Sequence, residues 1–270
     1  MDQLLGKINL NESREINQPP MLMDMPKVVM KLIMEKTDFR SLQTLRKVCH
    51  SLRAFIDDIH PEAHIDVIGI TMELNAISLF FKEIHVEYRR HEENSCSISC
   101  DNKLKIFEDT NYIDRFSMDF ELILRNQNSI LNLFQVSLSR VEIEDVDEIF
   151  RKMKHVLKSK KLPLKTKEVR FSIENHENVL SILPYLDPEY LKNLVINDST
   201  ICDRDLEILE IGGIMELEQW KNLDEIYIPT FRLRGSIKDF EYCSRMVASL
   251  ENVRIEELME LKKTSRFPFG

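Results

Sequence analysis

The stretch MLMDMPKVVMKLIMEKTDFRSLQTLRKVCHSLRAFIDD, residues 21–58, contains three short helical signals and decides how the chain begins to fold. Its first apolar residues recur at the spacing of one face of an α-helix: Met25, Val29, Leu32 and Ile33. Pro26 lies where this helix should begin, since a proline in the first turn gives up an N–H group that has no partner there. Asp38 is placed to cap a second helix, and Thr37 could share that role.

Further along the same stretch, a second set of apolar residues also follows a helical spacing: Leu42, Leu45, Val48, Cys49, Leu52 and Ile56. Cys49 lies on this stripe, and we expect a buried, unreactive thiol. Val28, Met30 and Met34 fall on other faces of the first helix, which is therefore apolar nearly all round. About 40 residues cannot bury so much apolar surface alone. Either the rest of the chain or another protein must cover the surplus.

The order of these residues resembles the F-box. The family pattern has Leu-Pro, an aliphatic helix, and then a Leu-x-x-Leu-Arg-x-Val-Cys run. Here Met25 replaces the usual leucine before Pro26, and Leu52 stands near a position where many F-boxes have tryptophan. The resemblance implies docking to the Skp adaptor of a Skp–cullin–F-box ubiquitin ligase through a set of eight residues: Met25, Pro26, Val29, Ile33, Leu42, Leu45, Val48 and Leu52. The alternative is an ordinary three-helix cap on the domain that follows.

The composition sets bounds on the class of protein. Among 270 residues, 43% are hydrophobic and 31% are charged, which is normal for a folded chain with room for two domains. The net charge of −9 argues against nucleic acid as the main partner, because phosphate contacts dominate such binding. We expect no membrane helix and no secretory signal. Five cysteines at irregular spacing fit reduced thiols in the cytosol or nucleus.

Residues 61–135 change to the two-residue period of β-strands. Short alternations of apolar and polar residues predict two strands, at Ile84, Val86 and Tyr88 and at Leu104 and Ile106. A longer alternation predicts a further strand: Phe116, Met118, Phe120, Leu122 and Leu124. Because short polar stretches separate these runs, we expect a β-rich connecting region of antiparallel strands with one solvent-facing side.

In residues 136–270, a leucine is repeatedly followed by apolar residues three and five positions later. The copies are Leu138-Val141-Ile143, Leu191-Leu194-Ile196, Leu223-Ile226-Ile228 and Leu250-Val253-Ile255, with a weaker copy at Thr166-Val169-Phe171 and an extra strand signal at Leu206-Leu209-Ile211. Helical patterns lie between them: VDEIFRKMKHVL, NVLSILPYL, IMELEQW and FEYCSRMVASL. Strand and helix alternating every ~28 residues predict a leucine-rich-repeat-like α/β solenoid. The alternative is a non-repetitive α/β domain with a mostly parallel sheet.

Three further segments stand out in the C-terminal half: Ile182-Leu183-Pro184-Tyr185-Leu186, Tyr190-Leu191-Lys192-Asn193-Leu194 and Glu218-Gln219-Trp220-Lys221. Together they resemble the FTH domain, which follows an F-box in the nematode-expanded F-box A family. We therefore predict an α+β chain with four parts: a polar lead-in at 1–20, an F-box at 21–60, the β-rich region at 61–135 and an FTH-like repeat domain at 136–270.

Few residue groups in this chain predict chemistry. One group near a predicted turn has ligand types that zinc prefers: His91, Cys96 and Cys100. No second ligand pair follows, so we expect strand and turn residues there rather than a metal site. Asp145, Asp147 and Glu148 open a predicted helix, where acidic side chains suit the helix dipole. The basic segment RKMKHVLKSKKLPLKTK predicts a solvated helix face, and contact with an acidic partner is the second interpretation.

The sequence therefore predicts an adaptor without catalytic residues, cofactor or metal. Its N-terminal helices should dock the Skp adaptor and, through it, a cullin ligase, while the C-terminal domain should present a surface to a protein substrate. A ubiquitin-conjugating enzyme held nearby would supply the chemistry, at the raised effective concentration that such an assembly gives. The alternative is a non-ligase scaffold that binds the Skp adaptor only. A hydrolase is a third class, but no motif supports it.

Overall fold

The computed structural model describes residues 22–92, 94–139, 145–199 and 206–257, together with Met259. By the contacts between residues, the chain divides after Pro61 into two compact units. The lead-in predicted at residues 1–20 lies outside the described part of the chain. No helix in that part is long and apolar enough to cross a membrane.

The first unit contains a 3-10 turn and three α-helices: Leu22–Asp24, then α1 Lys27–Lys36, α2 Phe39–Val48 and α3 His50–Ile59. α1 begins directly after Pro26, as the sequence predicted. Asp38 caps α2, because the Ser41 N–H donates to its Oδ1 at 3.0 Å and the Ser41 hydroxyl donates to its Oδ2 at 2.6 Å. These two hydrogen bonds lower the pKa of Asp38 below its ordinary value.

The helical stripe predicted from Leu42 to Ile56 is interrupted at Cys49. This residue has an extended backbone (φ −157°, ψ 162°), ends α2 and caps α3, with the Leu52 N–H donating to its Sγ at 3.5 Å. The expectation of a buried thiol is wrong, since Cys49 is exposed. The spacing misled because two short helices joined by one extended residue keep nearly the same apolar periodicity as one continuous helix.

The core of the first unit is small and draws on all three helices: Met30, Met34, Leu42, Leu52 and Ile56. Around it, partly buried side chains complete the packing: Leu22, Leu45, Phe55 and Ile59. α1 therefore turns Met30 and Met34 inward. Val28, Val29 and Leu32 of the same helix remain exposed.

The second unit is built on one mixed β-sheet. Its strands are, in chain order, β1 Val67–Glu73, β2 Ala76–Phe81, β3 Ile84–Glu92, β4 Ser95–Cys100, β5 Lys103–Phe107, β6 Leu131–Leu138, β7 Thr166–Ile173, β8 Asn193–Asp198, β9 Ile208–Leu209, β10 Glu225–Leu233 and β11 Arg245–Leu250. The spatial order is β11-β10-β8-β7-β6-β1-β2-β3-β4-β5, with β9 beside β10. β1 to β5 pair as an antiparallel meander, which confirms the strands predicted around Tyr88 and Leu104.

The remaining neighbours in this sheet are parallel: β1 with β6, then β6, β7, β8, β10 and β11 in succession, and β9 with β10. The described helices of the unit include α4 Tyr112–Arg125, α5 Val146–Ser159, α6 His176–Leu180, α7 Gly212–Met215 and α8 Glu218–Lys221, with 3-10 turns at Leu183–Tyr185 and Ile237–Phe240. Phe120 of α4 stacks on Phe134 of β6 with ring centroids 6.5 Å apart. α4 thus covers the face of the sheet toward which Phe134 points.

The run from Phe116 to Leu124 is the middle of helix α4, so the strand predicted there is wrong. Asn111 starts the helix by accepting the Ile113 N–H at 2.7 Å. The buried side chains follow the 3.6-residue period of a helix: Tyr112, Ile113, Phe116, Phe120, Ile123 and Leu124. Alternation misled because residues four apart, such as Phe116 and Phe120, lie on one side of a strand and also on one side of a helix.

The repeated spacing in the C-terminal part identifies aligned strand residues correctly in its inner copies. At both ends, the predicted copies are displaced along the chain. Val169 lies beside Leu194, and Leu194 lies beside Ile226, in neighbouring parallel strands. Phe134 extends this row at one end and Met246 at the other, so the true first and last copies begin upstream of the predicted ones.

The predicted copies at Leu138 and Leu250 are therefore wrong, because both residues end strands. Val253 and Ile255 are exposed, and Val141 and Ile143 lie outside the described residues. The helix predicted for FEYCSRMVASL is also wrong, since a 3-10 turn and strand β11 occupy it. The apolar residues of that segment fit both the helical period and the strand period, and pairing with β10 makes its second half a strand. Strand β9 confirms the extra strand signal around Leu209, and α5 confirms the helix predicted from Val146.

Candidate interaction surfaces

The first candidate surface consists of apolar side chains on the outside of the helical unit. Val28 is 72% exposed and Val48 is 65% exposed. Further exposed apolar side chains precede α1 or lie on it: Met23, Met25, Val29 and Leu32. Because Val28 and Leu32 are four residues apart, they stand on the same side of α1, away from Met30 and Met34. We call these six residues the helical apolar surface.

The docking residues predicted from the sequence fall into two groups. Six of them reach the surface of the unit, fully or in part: Met25, Pro26, Val29, Ile33, Leu45 and Val48. Leu42 and Leu52 are buried in the core, so they can support docking only by holding the helices in place. The predicted set also leaves out Val28 and Leu32. The signal that could have found them is their four-residue spacing, which places both side chains on one side of α1.

The second candidate surface is the side of the sheet that faces away from α4. Side chains alternate along each strand, so Gln135, Arg170 and Val195 point opposite to the buried Phe134, Val169 and Leu194. Pairing aligns these residues in one row that crosses eight strands: His85, Phe80, Gly69, Gln135, Arg170, Val195, Tyr227 and Val247. We call this side of the sheet the open face.

A second row on the open face carries mostly small polar side chains: Asn197, Ser172, Ser137, Thr71, Ser78, Glu87 and Ser99. The charged side chains of this face are partly neutralised, since Arg170 pairs with Glu168 and Arg89 pairs with Glu87. Toward β11 the face becomes more apolar, and Tyr227 there is 44% exposed. A surface of this mixed character suits contact with another protein.

The ring of Phe80 lies over Gly69 of the neighbouring strand on the open face. A Cβ atom built on Gly69 would stand 1.8 Å from the Phe80 Cζ atom, so only glycine leaves room for the ring. The glycine thereby lets an aromatic side chain cover part of the exposed sheet.

Two clusters of polar side chains fix the meander to the helices. The Tyr112 hydroxyl donates to Asp145 Oδ2 at 2.6 Å, and Arg90 donates to the same oxygen at 2.5 Å. The Tyr88 hydroxyl donates to Asp119 Oδ2 at 3.0 Å. Burial is the main cause that raises the pKa of Tyr112, of Tyr88 and of Asp119. These groups are occupied with one another, and they hold β3 against α4 and the start of α5.

The acidic start of α5 confirms the helix-dipole prediction for Asp147 and Glu148, which lie in its first turn. The basic segment that follows is mainly a solvated helix face. Arg151 pairs with Glu148 at 3.0 Å, and Lys154 and Lys158 are exposed.

Lys160 of the basic segment is tied to the protein rather than solvated. Its Nζ atom donates to the Leu124 carbonyl at 2.6 Å and to the Gln127 carbonyl at 3.0 Å, at the C-terminal end of α4. Burial lowers the pKa of Lys160.

The cysteines of the meander do not form a metal site. Cys96 and Cys100 are four residues apart in the same strand, which separates them by about 13 Å. His91 lies exposed near the end of β3. Within the described ranges, no group of three or more His, Cys, Asp or Glu side chains is arranged to hold a metal ion.

Comparison with protein families finds one match in each unit. Residues 22–63 match the F-box domain, and residues 147–266 match the FTH domain. The chain therefore carries an F-box domain followed by an FTH domain. It is similar to F-box A protein 224 of Caenorhabditis elegans, with 22% identity over 253 residues that cover 91% of this chain and 63% of that protein. No solved structure matches the chain.

Proposed function

We propose that this protein is a substrate-recognition adaptor of a Skp–cullin–F-box ubiquitin ligase. Its helical unit docks the Skp adaptor, and its second unit presents the open face to a protein target. The chain performs no chemistry itself, because the conjugating enzyme of the ligase modifies the target that the chain holds nearby. We place this activity in the cytoplasm or nucleus, where the reduced thiols of Cys49, Cys96 and Cys243 are stable.

The observation that carries this proposal is the helical apolar surface within the residues that match the F-box. Helix α1 contributes Met30 and Met34 to the core of its unit. Its other apolar side chains, Val28, Val29 and Leu32, are exposed to solvent. Burying a valine or leucine side chain stabilises a complex by up to about 1.5–3 kcal/mol. A partner that covers several of these residues therefore gains enough free energy to bind firmly.

The target-binding role of the second unit is supported by the open face. A tyrosine with a partly exposed ring, flanked by aliphatic side chains and then by polar groups, has the composition of a protein-binding centre. Tyr227 has this setting, since Val195 and Val247 are its neighbours in β8 and β11. We also propose that the successive parallel strands and their connections act as a leucine-rich-repeat-like solenoid, which offers such a face without a break.

The docking step is tested with a variant that removes apolar surface without disturbing the fold. Val28→Ala with Leu32→Ala changes two exposed side chains, and alanine favours the helix. We expect affinity for the purified Skp adaptor, measured by titration calorimetry, to fall at least tenfold. The matched control is Lys31→Ala with Glu35→Ala, which removes an exposed ion pair of the same helix. Equal affinity of wild type and the Val28/Leu32 variant would remove the basis of the proposal.

The predicted docking set is tested in the same assay with Val29→Ala and Val48→Ala, which are both exposed in the free chain. Leu42 and Leu52 are unsuitable for this purpose, because their truncation would open the core of the unit. A loss of affinity in the Val29/Val48 variant with unchanged helicity supports direct docking. No loss would restrict the docking site to Val28, Leu32 and their neighbours.

Target recognition is tested by capture from cells treated with a proteasome inhibitor. Tyr227→Ala with Val247→Ala should lose captured target proteins and keep the Skp adaptor and cullin. If the Skp adaptor is captured without cullin, and no protein depends on Tyr227, the chain is a scaffold rather than a ligase adaptor.

A further inference from the structure

The free edge of the sheet at β5 offers a binding site outside both family matches. β5 spans Lys103–Phe107 and pairs with β4, and it is the last strand at its end of the sheet. Among the described residues no second strand pairs with it. One side of its backbone therefore presents N–H and carbonyl groups that an added strand could pair with.

The side chains of β5 divide sharply between its two faces. On the open face, Leu104 is 68% exposed and Ile106 is 47% exposed, next to Ser99 and Ser97 of β4. On the opposite face stand Lys103 and Lys105, both exposed. Two large aliphatic side chains exposed on an unpaired edge strand offer apolar surface that an added strand would cover.

The lysines of β5 lie opposite uncharged side chains of the neighbouring strand. The residues of β4 opposite Lys103 and Lys105 are Cys100 and Ile98, which carry no charge. The Nζ atom of Lys105 lies 4.6 Å from the centroid of the Phe107 ring. Within the part of the chain that the structure describes, neither lysine forms an ion pair with a carboxylate.

We propose that β5 binds an extended segment of a partner protein in which apolar and acidic residues alternate. The segment adds a strand to the sheet, and main-chain hydrogen bonds supply affinity. Its apolar side chains pack on Leu104 and Ile106, and its acidic side chains face Lys103 and Lys105, since alternate residues point to opposite faces. This inference goes beyond ligase assembly and does not depend on Skp docking.

The same charges disfavour a second copy of this chain as the occupant. Two β5 strands paired antiparallel with full overlap would set one Lys105 directly opposite the other. Like charges in that position destabilise a strand pair. Asp101 and Glu108 flank the strand, so the acidic residues of a partner segment belong at its centre, opposite the lysines.

Fluorescein-labelled peptides of eight residues test the proposal, one alternating valine with glutamate and a matched one alternating valine with lysine. In fluorescence anisotropy titrations with the full chain, we expect the glutamate peptide to bind at least tenfold more tightly than the lysine peptide. Lys103→Glu with Lys105→Glu should reverse this order. Leu104→Ser with Ile106→Ser should weaken both peptides. Circular dichroism checks that these exposed substitutions leave the fold intact.

Four results would overturn the proposal. The first is absence of binding of the glutamate peptide to the wild type. The second is binding that the charge reversal at Lys103 and Lys105 does not change, which would place the peptide elsewhere. The third is equal binding of a glutamate peptide with alternate backbone nitrogens methylated, which would exclude strand addition. The fourth is self-association of the wild type in sedimentation experiments that Lys105→Glu changes, which would make a second copy the occupant.

Discussion

The two units of this protein treat their apolar helix residues in opposite ways. Helix α1 buries Met30 and Met34 and leaves Val28, Val29 and Leu32 in solvent. Helix α5 buries its apolar stripe and exposes mainly charged side chains: Val146, Ile149, Phe150, Met153, Val156 and Leu157 are all buried. The helical unit therefore leaves apolar side chains of α1 exposed, whereas α5 of the sheet unit uses its apolar side chains to complete the core. Apolar content by itself does not separate these two uses.

The largest expected change is in the free energy of unfolding, when a core side chain of the sheet unit is removed. Phe120→Ala should lower the free energy of unfolding by about 3–5 kcal/mol, because Phe120 stacks between Phe116 and Phe134. Met118→Ala, in the same helix, should change it by less than about 0.5 kcal/mol, since Met118 is 59% exposed. Denaturant unfolding followed by the fluorescence of the buried Trp220 measures both. Similar losses for the two variants would contradict the helix and favour the strand predicted from the sequence.

The next largest change in stability is expected for a glycine of the open face, compared with a glycine elsewhere in the sheet unit. Gly69→Ala should cost about 1–3 kcal/mol, because its Cβ atom would meet the Phe80 ring at 1.8 Å. Most of that cost should disappear in a Phe80→Ala background, which removes the ring. Gly212→Ala is the matched control, since a Cβ atom there meets no other atom within 4 Å. If Phe80→Ala leaves the cost of Gly69→Ala unchanged, the ring does not lie over the glycine.

Local signals in the sequence predicted the local parts of the structure. Pro26 and Asp38 mark helix starts because proline and aspartate act through the backbone groups nearest to them. The alternation around Tyr88 identified β3. No typical helix-capping residue stands directly before Ile84, so the sequence there does not favour a helix. For α4 the cap was present, and Asn111 directly before Tyr112 could have favoured the helix over the strand.

The features that the sequence did not predict depend on distant residues. The phase of the parallel strands follows from which residues align across the sheet, such as Phe134 with Val169, and a spacing pattern cannot choose among overlapping copies. The burial of Leu42 and Leu52 follows from how three helices meet. A leucine in a helical stripe has the same sequence signal whether it faces its own core or a partner.

A smaller effect concerns the helical unit alone. Asp38→Ala should destabilise α2 by about 0.5–2 kcal/mol at pH 7, because it removes the cap that Ser41 completes. The lowered folded-state pKa of Asp38 means that this contribution is present above the unfolded-state pKa of about 3.9 and is lost as the pH falls through the folded-state value.

Hydrogen exchange of the α2 amides in the full chain measures this contribution. The α2 amides should be less protected from exchange in Asp38→Ala than in the wild type at pH 7. This difference in protection should shrink in strong acid. Asp58→Ala, at an exposed position of α3, is the control. A difference that stays constant into strong acid would show that the charge of Asp38 contributes nothing to the cap.

The last prediction leaves the fold unchanged. It compares the extent of alkylation of one cysteine from each unit. Cys49 in the helical unit is exposed, whereas Cys243 in the sheet unit is buried, and burial raises the pKa of its thiol to about 12. Alkylation requires an accessible thiolate, so iodoacetamide at pH 8 should label Cys49 in the native chain and leave Cys243 unmodified. Mass spectrometry of proteolytic peptides gives the two extents, and denaturant should make them equal. Rapid native labelling of Cys243 would mean that the sheet unit opens easily, and protection of Cys49 would mean that its side of the helical unit is already covered in the free chain.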